Sequence, residues 1–158
     1  MNPRAQIVKA ESELTLHGAP ITGKRVVVVE DGPTLTHGEM TFGAGVVAAR
    51  RFGAATLVDP EPFAVGSIRA VLEKYPKLEP LVPAMGYGTD QMHELEATLN
   101  ACDADLVLSA TPIDITRVLK LTKPVTRVRY ELKQVGGPAL EELLAPIVAR
   151  AHRPAGVA

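Results

Sequence analysis

A single cysteine among 158 residues leaves this chain no internal disulfide, so Cys102 is a lone thiol and the fold must be held by packing. Seventeen basic and 18 acidic residues give a net charge of -1, which argues against a basic nucleic-acid surface. No apolar segment reaches membrane length and no signal-like stretch opens the chain, so no membrane partner and a cytoplasmic location are expected. Several chemical signatures are missing too. His17, His93 and His152 have no metal-ligand spacing, and Cys102 lacks a thiol or histidine neighbour, so zinc and cysteine catalysis find no support. There is no G-x-S-x-G nucleophile elbow. The glycines of PAMGYGTDQ (residues 83–91) match neither a Walker sequence, since no lysine follows the second glycine, nor G-x-G-x-x-G.

What is present is an ordinary globular composition, 46% hydrophobic and 22% charged, enough for one core. Its most informative stretch is KRVVVVEDGPTLTHGEM, residues 24–40, where an apolar run breaks into polar residues. Val26 to Val29 has the character of a strand buried on both faces, the kind found in parallel sheets covered by helices. Strands are expected at 25–29, 55–58, 79–83, 106–110 and 125–132, with helices at 42–52, 67–75, 90–101, 114–119 and 140–152 between and after them. This alternation predicts an α/β fold: a three-layer, doubly wound, mostly parallel five-stranded sheet of Rossmann-like kind, in the order 2-1-3-4-5. Thr41, Ser67 and Thr89 are expected to cap helices, and Gly53 to end one. Residues 5–10 read as an extra N-terminal strand, and ESELTLHGAPITG after them as a linker. The expected organisation is therefore a boundary segment over 1–23, an α/β domain over 24–153 and a disordered tail over 154–158.

In such sheets ligands bind beyond the carboxyl ends of the strands, so the polar clusters there are the candidate site. After the first strand stand Glu30, Asp31, Thr34, Thr36, His37 and Gly38. The two carboxylates supply oxygen ligands for a divalent cation, magnesium being the natural one, and the next helix start can receive an anion. Turn satisfaction is the alternative for Asp31, Thr34 and Thr36, and the convergence of six polar or glycine positions after one buried strand favours a site. Asp59 and Ser67 follow the second strand, as ligand contacts or as a turn and a cap. Gly86, Tyr87 and Gly88 follow the third, where glycine permits close approach and an exposed tyrosine can stack. Thr111 and Asp114 follow the fourth, as recognition groups or as helix-start composition. Arg127 and Arg129 lie on one side of the last strand, as phosphate forks or as a solvated edge.

These stretches resemble a known family. GKRVVVVEDGPTLTHGEM, GAGVVAARRFGA, VDPEPFAVGSI, PAMGYG, TPIDI and VRYEL are similar, in order, to the C-terminal part of the cyclic 2,3-diphosphoglycerate synthetases and their bacterial relatives described as GTPases. The resemblance runs from Asn2 to about Leu144. It implies a nucleotide-dependent ligase that closes an intramolecular phosphoanhydride, with this chain as the substrate-side domain holding a phosphorylated small molecule. ATP or GTP would act through a P-loop domain absent from this chain, so the chain is not expected to turn over alone. The alternative is a stand-alone phosphate-binding or interaction module that partners a separate P-loop subunit. A homo-oligomer is expected where an absent domain leaves apolar surface uncovered.

Overall fold

A computed structural model describes residue 3 and residues 5–151. The expected tail over 154–158 and the end of the last helix at His152 lie outside the described residues. Internal contacts divide the chain into two units, Leu14–Arg129 on one hand and Met1–Glu13 with Tyr130–Ala158 on the other.

The larger unit is built on β2 (Arg25–Asp31), whose four consecutive valines alternate between two cores. Val26 and Val28 face one cluster, with Val46, Ala48 and Ala49 of α2 (Ala44–Arg51) and with Leu106 and Leu108 of β5 (Leu106–Ala110). Val27 and Val29 face the other, with Ile68 of α3 (Gly66–Lys74) and Leu95 and Leu99 of α4 (Thr89–Ala101). A period-2 strand between two apolar helix layers accounts for the unbroken valine run, since each buried side chain contributes about 1.5–3 kcal/mol from either face. The expected three-layer α/β class is what the structure has.

The remaining strands are β1 (Lys9–His17), β3 (Thr56–Leu57), β4 (Val82–Ala84) and β6 (Val125–Gly136), ordered β1-β6-β5-β2-β3 with β4 also on β2. The ladders of β2 with β3, β4 and β5, and of β5 with β6, are parallel. The sheet as a whole is mixed, so the antiparallel member is the β1 and β6 pair.

Four expectations need correction. The order 2-1-3-4-5 fails because the short strands β3 and β4 share one edge of β2, pairing at Arg25 to Val26 and at Val29 to Asp31, while β5 takes the other edge. The segment read as a linker forms most of β1. Its apolar residues Leu14 and Leu16 stand at a spacing of two and cover the core, but the Gly and Pro that follow gave the stretch a loop composition. The polar stretch after β2 contains a six-residue helix, α1 (Gly32–His37), started by Asp31 and Pro33. Residues 114–119 form only a 3-10 turn, Ile115–Arg117, because the Lys120 N–H leaves the helical pattern to donate to Glu96 Oε2 at 2.5 Å.

The expected caps are also displaced. The residues before α2, α3 and α4 are Gly43, Val65 and Gly88, and carboxylates distant in sequence serve the first two ends: Glu30 for α2 and Glu94 for α3. Gly53 ends its helix at φ +76 as expected.

In the smaller unit the Lys133 ammonium lies 3.4 Å from Glu13 Oε1, and Gln134 Oε1 accepts from the Leu140 N–H that begins α5 (Leu140–Ala151). No residue of α5 is buried, and Tyr130, Leu132 and Ile147 are more than 60% exposed.

Candidate functional site

Parallel registers bring three strand ends together. Glu30 pairs with Ala110 and with Pro83, and Asp31 pairs with Ala84. The loops after β2, β4 and β5 therefore open side by side at the carboxyl edge. The chain leaves β2 for one side of the sheet and reaches β5 on the other, so the gap between β2 and β5 is the topological switch point.

Glu30 is 2% exposed and continues the face of Val26 and Val28. Its Oε1 accepts from the Val46 N–H at 2.8 Å, with the N–H groups of Gly45 and Gly43 also directed at the carboxylate. Burial pushes the Glu30 carboxyl above the usual carboxylate range, and the three N–H groups pull less strongly the other way. Gly43 has no room for a Cβ because this carboxylate sits against it, and Gly45 has none because Val28 Cγ1 and then the carboxylate do. Asp31 belongs to the opposite face of the strand. It caps α1, accepting from the Thr34 N–H at 3.3 Å and from the Thr34 hydroxyl. The two carboxylates thus have separate surroundings: one is committed to the start of α2, the other is half-buried at the edge.

Thr36 donates back to the Gly32 carbonyl at 3.1 Å, while His37 and Gly38 are exposed. Asp59 accepts from the Glu61 N–H in a turn at 3.0 Å. Ser67 donates from its N–H at 3.0 Å and from its hydroxyl to Glu94 Oε2, and these bonds hold the Glu94 carboxyl below its usual range. Gly86 and Gly88 flank Tyr87, which is 44% exposed. Partial burial, then the negative charge of Asp31, raise the Tyr87 phenol above its ordinary value and link this loop to the one after β2. Thr111 is buried, sharing a 3.0 Å hydrogen bond with Ser109 and donating to the Ile113 carbonyl at 2.9 Å.

Asp114 and Arg127, expected in different clusters, form an ion pair at 3.4 Å; Arg129 is exposed. The Thr116 hydroxyl at 2.7 Å is the main cause of a lowered Asp114 pKa, with Arg127 and Arg117 adding smaller effects. The carboxylate is favoured in the folded state, so its stabilisation is present above the ordinary aspartate pKa and is lost as pH falls through the folded value. In an NMR pH titration, Thr116→Val should raise the Asp114 pKa more than Arg127→Met does. A larger rise in Arg127→Met would reverse that ranking.

A cavity of about 340 Å3 lies beside this edge, between α4 and residues 118–120, with Tyr87 at its rim and Met92, His93 and Glu96 on its helical wall. A second, about 380 Å3, has Thr36 on its wall together with Glu39, whose φ is 51. Met92, Glu96 and Lys120 escaped the sequence reading of the site. Only the helical spacing of 89, 92, 93 and 96 marks a shared face, and that spacing equally describes a solvated one. Among the described residues no three His, Cys, Asp or Glu side chains converge as a metal site. Cys102 is buried, and its thiol is pushed up to about 11, which makes it a poor nucleophile. No helix among the described residues is long and apolar enough to cross a membrane.

No family model and no solved structure matches this chain. Over 145 residues, 91% of the chain, it is 53% identical to a protein of Thermococcus kodakarensis named arginine synthetase ArcE. The chain spans 32% of that relative's length. The relative's name overturns the expected closure of a cyclic phosphoanhydride, and with it the diphosphoglycerate and GTPase vocabulary and the stand-alone phosphate-binding alternative. What the comparison establishes is similarity, along nearly the whole of this chain, to about a third of a protein named for making arginine.

Proposed function

We propose that this chain is one portion of a longer arginine-forming synthetase, and that its carboxyl-edge loops hold the amino acid. The observation that carries the reading is the 53% identity over 145 residues to a protein named arginine synthetase. A site beyond the strand ends at the β2 and β5 switch point agrees with it, since that is where open α/β sheets take small ligands.

The G-x-x-x-x-G-K run at Gly18 to Lys24 leads into Arg25 and the strand β2, where a P-loop needs Ser or Thr and a helix, so ATP or GTP with magnesium belongs in the proposal to another part of the longer polypeptide. Magnesium is usually held by one or two carboxylates together with phosphate oxygens and water. Glu30 is engaged by the start of α2 and Asp31 by Thr34 at the start of α1, so the proposal gives magnesium to the part that holds the nucleotide.

The test is a chimera in which this chain replaces the matched third of the Thermococcus kodakarensis protein, assayed for arginine formation. The chimera should form arginine, while this chain alone should not. A chimera that folds cooperatively yet makes no arginine would count against the proposal.

A further inference from the structure

The 340 Å3 cavity between α4 and residues 118–120 falls within the size range of small-ligand sites. Its chemistry is graded from end to end. Tyr87 stands at the start of α4, partly exposed, with the negative charge of Asp31 acting on it. Met92 and Val118 supply apolar wall in the middle, with the His93 imidazole beside them, and Val118 is 50% exposed. Glu96 and Lys120 stand at the far end. Glu96 accepts from the Lys120 N–H through Oε2, and its other oxygen retains capacity for further hydrogen bonds. From Thr89 to Glu96 the helix rises about 10 Å, close to the length of an extended arginine.

Resting on the arginine-forming reading, we infer that this cavity is the amino-acid subsite, with the guanidinium over the Tyr87 ring, the aliphatic stem along Met92 and Val118, and the α-ammonium and α-carboxylate at Glu96 and Lys120. A cation over an aromatic face is attractive, and the Asp31 charge adds to the attraction. Glu96 and Lys120 both line this end, and their opposite charges suit the two charged groups of an amino acid's zwitterionic end. The orientation also has a consequence for chemistry. It points the guanidino end at the loops after β2 and β4, where the strand ends converge, and keeps the invariant end of the amino acid away from them.

Calorimetric titration of the chain with L-arginine, agmatine and L-norleucine tests the placement, with circular dichroism confirming that each variant folds. Arginine should bind the parent protein, and Tyr87→Ala and Glu96→Gln should each weaken it by about tenfold. Glu96→Gln keeps an acceptor for the Lys120 N–H, so a loss reports on charge rather than on the turn. Lys120→Met should weaken arginine but leave agmatine, which has no carboxylate, unchanged. Norleucine, lacking the guanidinium, should be insensitive to Tyr87→Ala. No binding at millimolar arginine, or binding that all three variants leave unaltered, would overturn the subsite. The two proposals fail separately. An active chimera whose KM for the amino acid is untouched by Tyr87→Ala and Glu96→Gln would sink the subsite alone. Arginine binding that responds as expected beside an inactive chimera would sink the function alone.

Discussion

Glu30→Ala should lower stability by about 3 kcal/mol, read as a fall in Tm of roughly 6–12 °C for a chain of this size. The truncation leaves the Val46 N–H without the oxygen it donates to at 2.8 Å, and the N–H groups of Gly43 and Gly45 without the carboxylate they face. Each unsatisfied buried donor costs about 1–3 kcal/mol, and the vacated volume adds a cavity cost. One effect runs the other way, because the variant no longer holds a carboxylate out of water. Water entering the vacated space recovers part of the donor cost, so the expected loss is well below the simple sum.

Glu30→Gln separates charge from shape. Burial raises the folded-state pKa of Glu30, so the protonated carboxyl is the form the fold favours. Its contribution is fully present below the ordinary glutamate pKa and is lost as pH rises through the folded value. The glutamine variant has no such titration. Its stability deficit relative to the parent should be larger near pH 4 than at pH 7, measured by urea unfolding at both. Asp103, Asp114 and Glu94, whose pKa values are lowered, give the opposite slope, but they are common to both proteins and drop out of the difference. A deficit that widens toward neutral pH would mean that the N–H groups of α2 outweigh burial.

The same residue shows how far the sequence could be read. The valine run revealed a strand buried on both faces because it is short, entirely β-branched and apolar at every position. The abrupt change at Glu30 located the carboxyl edge. The job of Glu30 stayed hidden, because a carboxylate that caps a helix beginning 14 residues later leaves no local pattern, unlike the Ser, Thr or Asp caps that a sequence window can see. Glu94, which serves α3 from α4, was hidden for the same reason. Leu14 and Leu16 did carry a strand signal, but two apolar positions beside Gly18, Pro20 and Gly23 were outvoted by loop composition. The pairing of Asp114 with Arg127 needed the parallel register of β5 and β6, which composition does not contain. The residues of the cavity beside α4 lie on a helix face and a turn that meet only through the fold. Function depended on similarity instead: the motifs resembled one kind of synthetase, and the matched relative bears the name of another.

Gly45→Ala tests the packing that sets this edge, and the sign of its effect is the informative part. On an exposed helix, replacing glycine by alanine stabilises by roughly 0.5–1 kcal/mol, through backbone entropy and helix propensity. At Gly45 the new methyl would stand 2.6 Å from Val28 Cγ1, 2.9 Å from Glu30 Oε1 and 3.1 Å from Ala110 Cβ. All three neighbours belong to central strands of the sheet, so the methyl must displace α2, and overpacking of this kind costs about 1–3 kcal/mol. The steric cost exceeds the propensity gain, and the variant should be less stable by about 1–2 kcal/mol in urea unfolding. Val28→Ala on its own should also destabilise, by leaving a void between β2 and α2. The double variant should lose less than the sum of the two, by about 0.5 kcal/mol or more, because the alanine at 45 then enters the space that the valine vacated. Strict additivity, or a stabilising Gly45→Ala, would mean that α2 does not press on β2 at this point. The start of α2 would then be free to move against the strand that ends in Glu30 and Asp31.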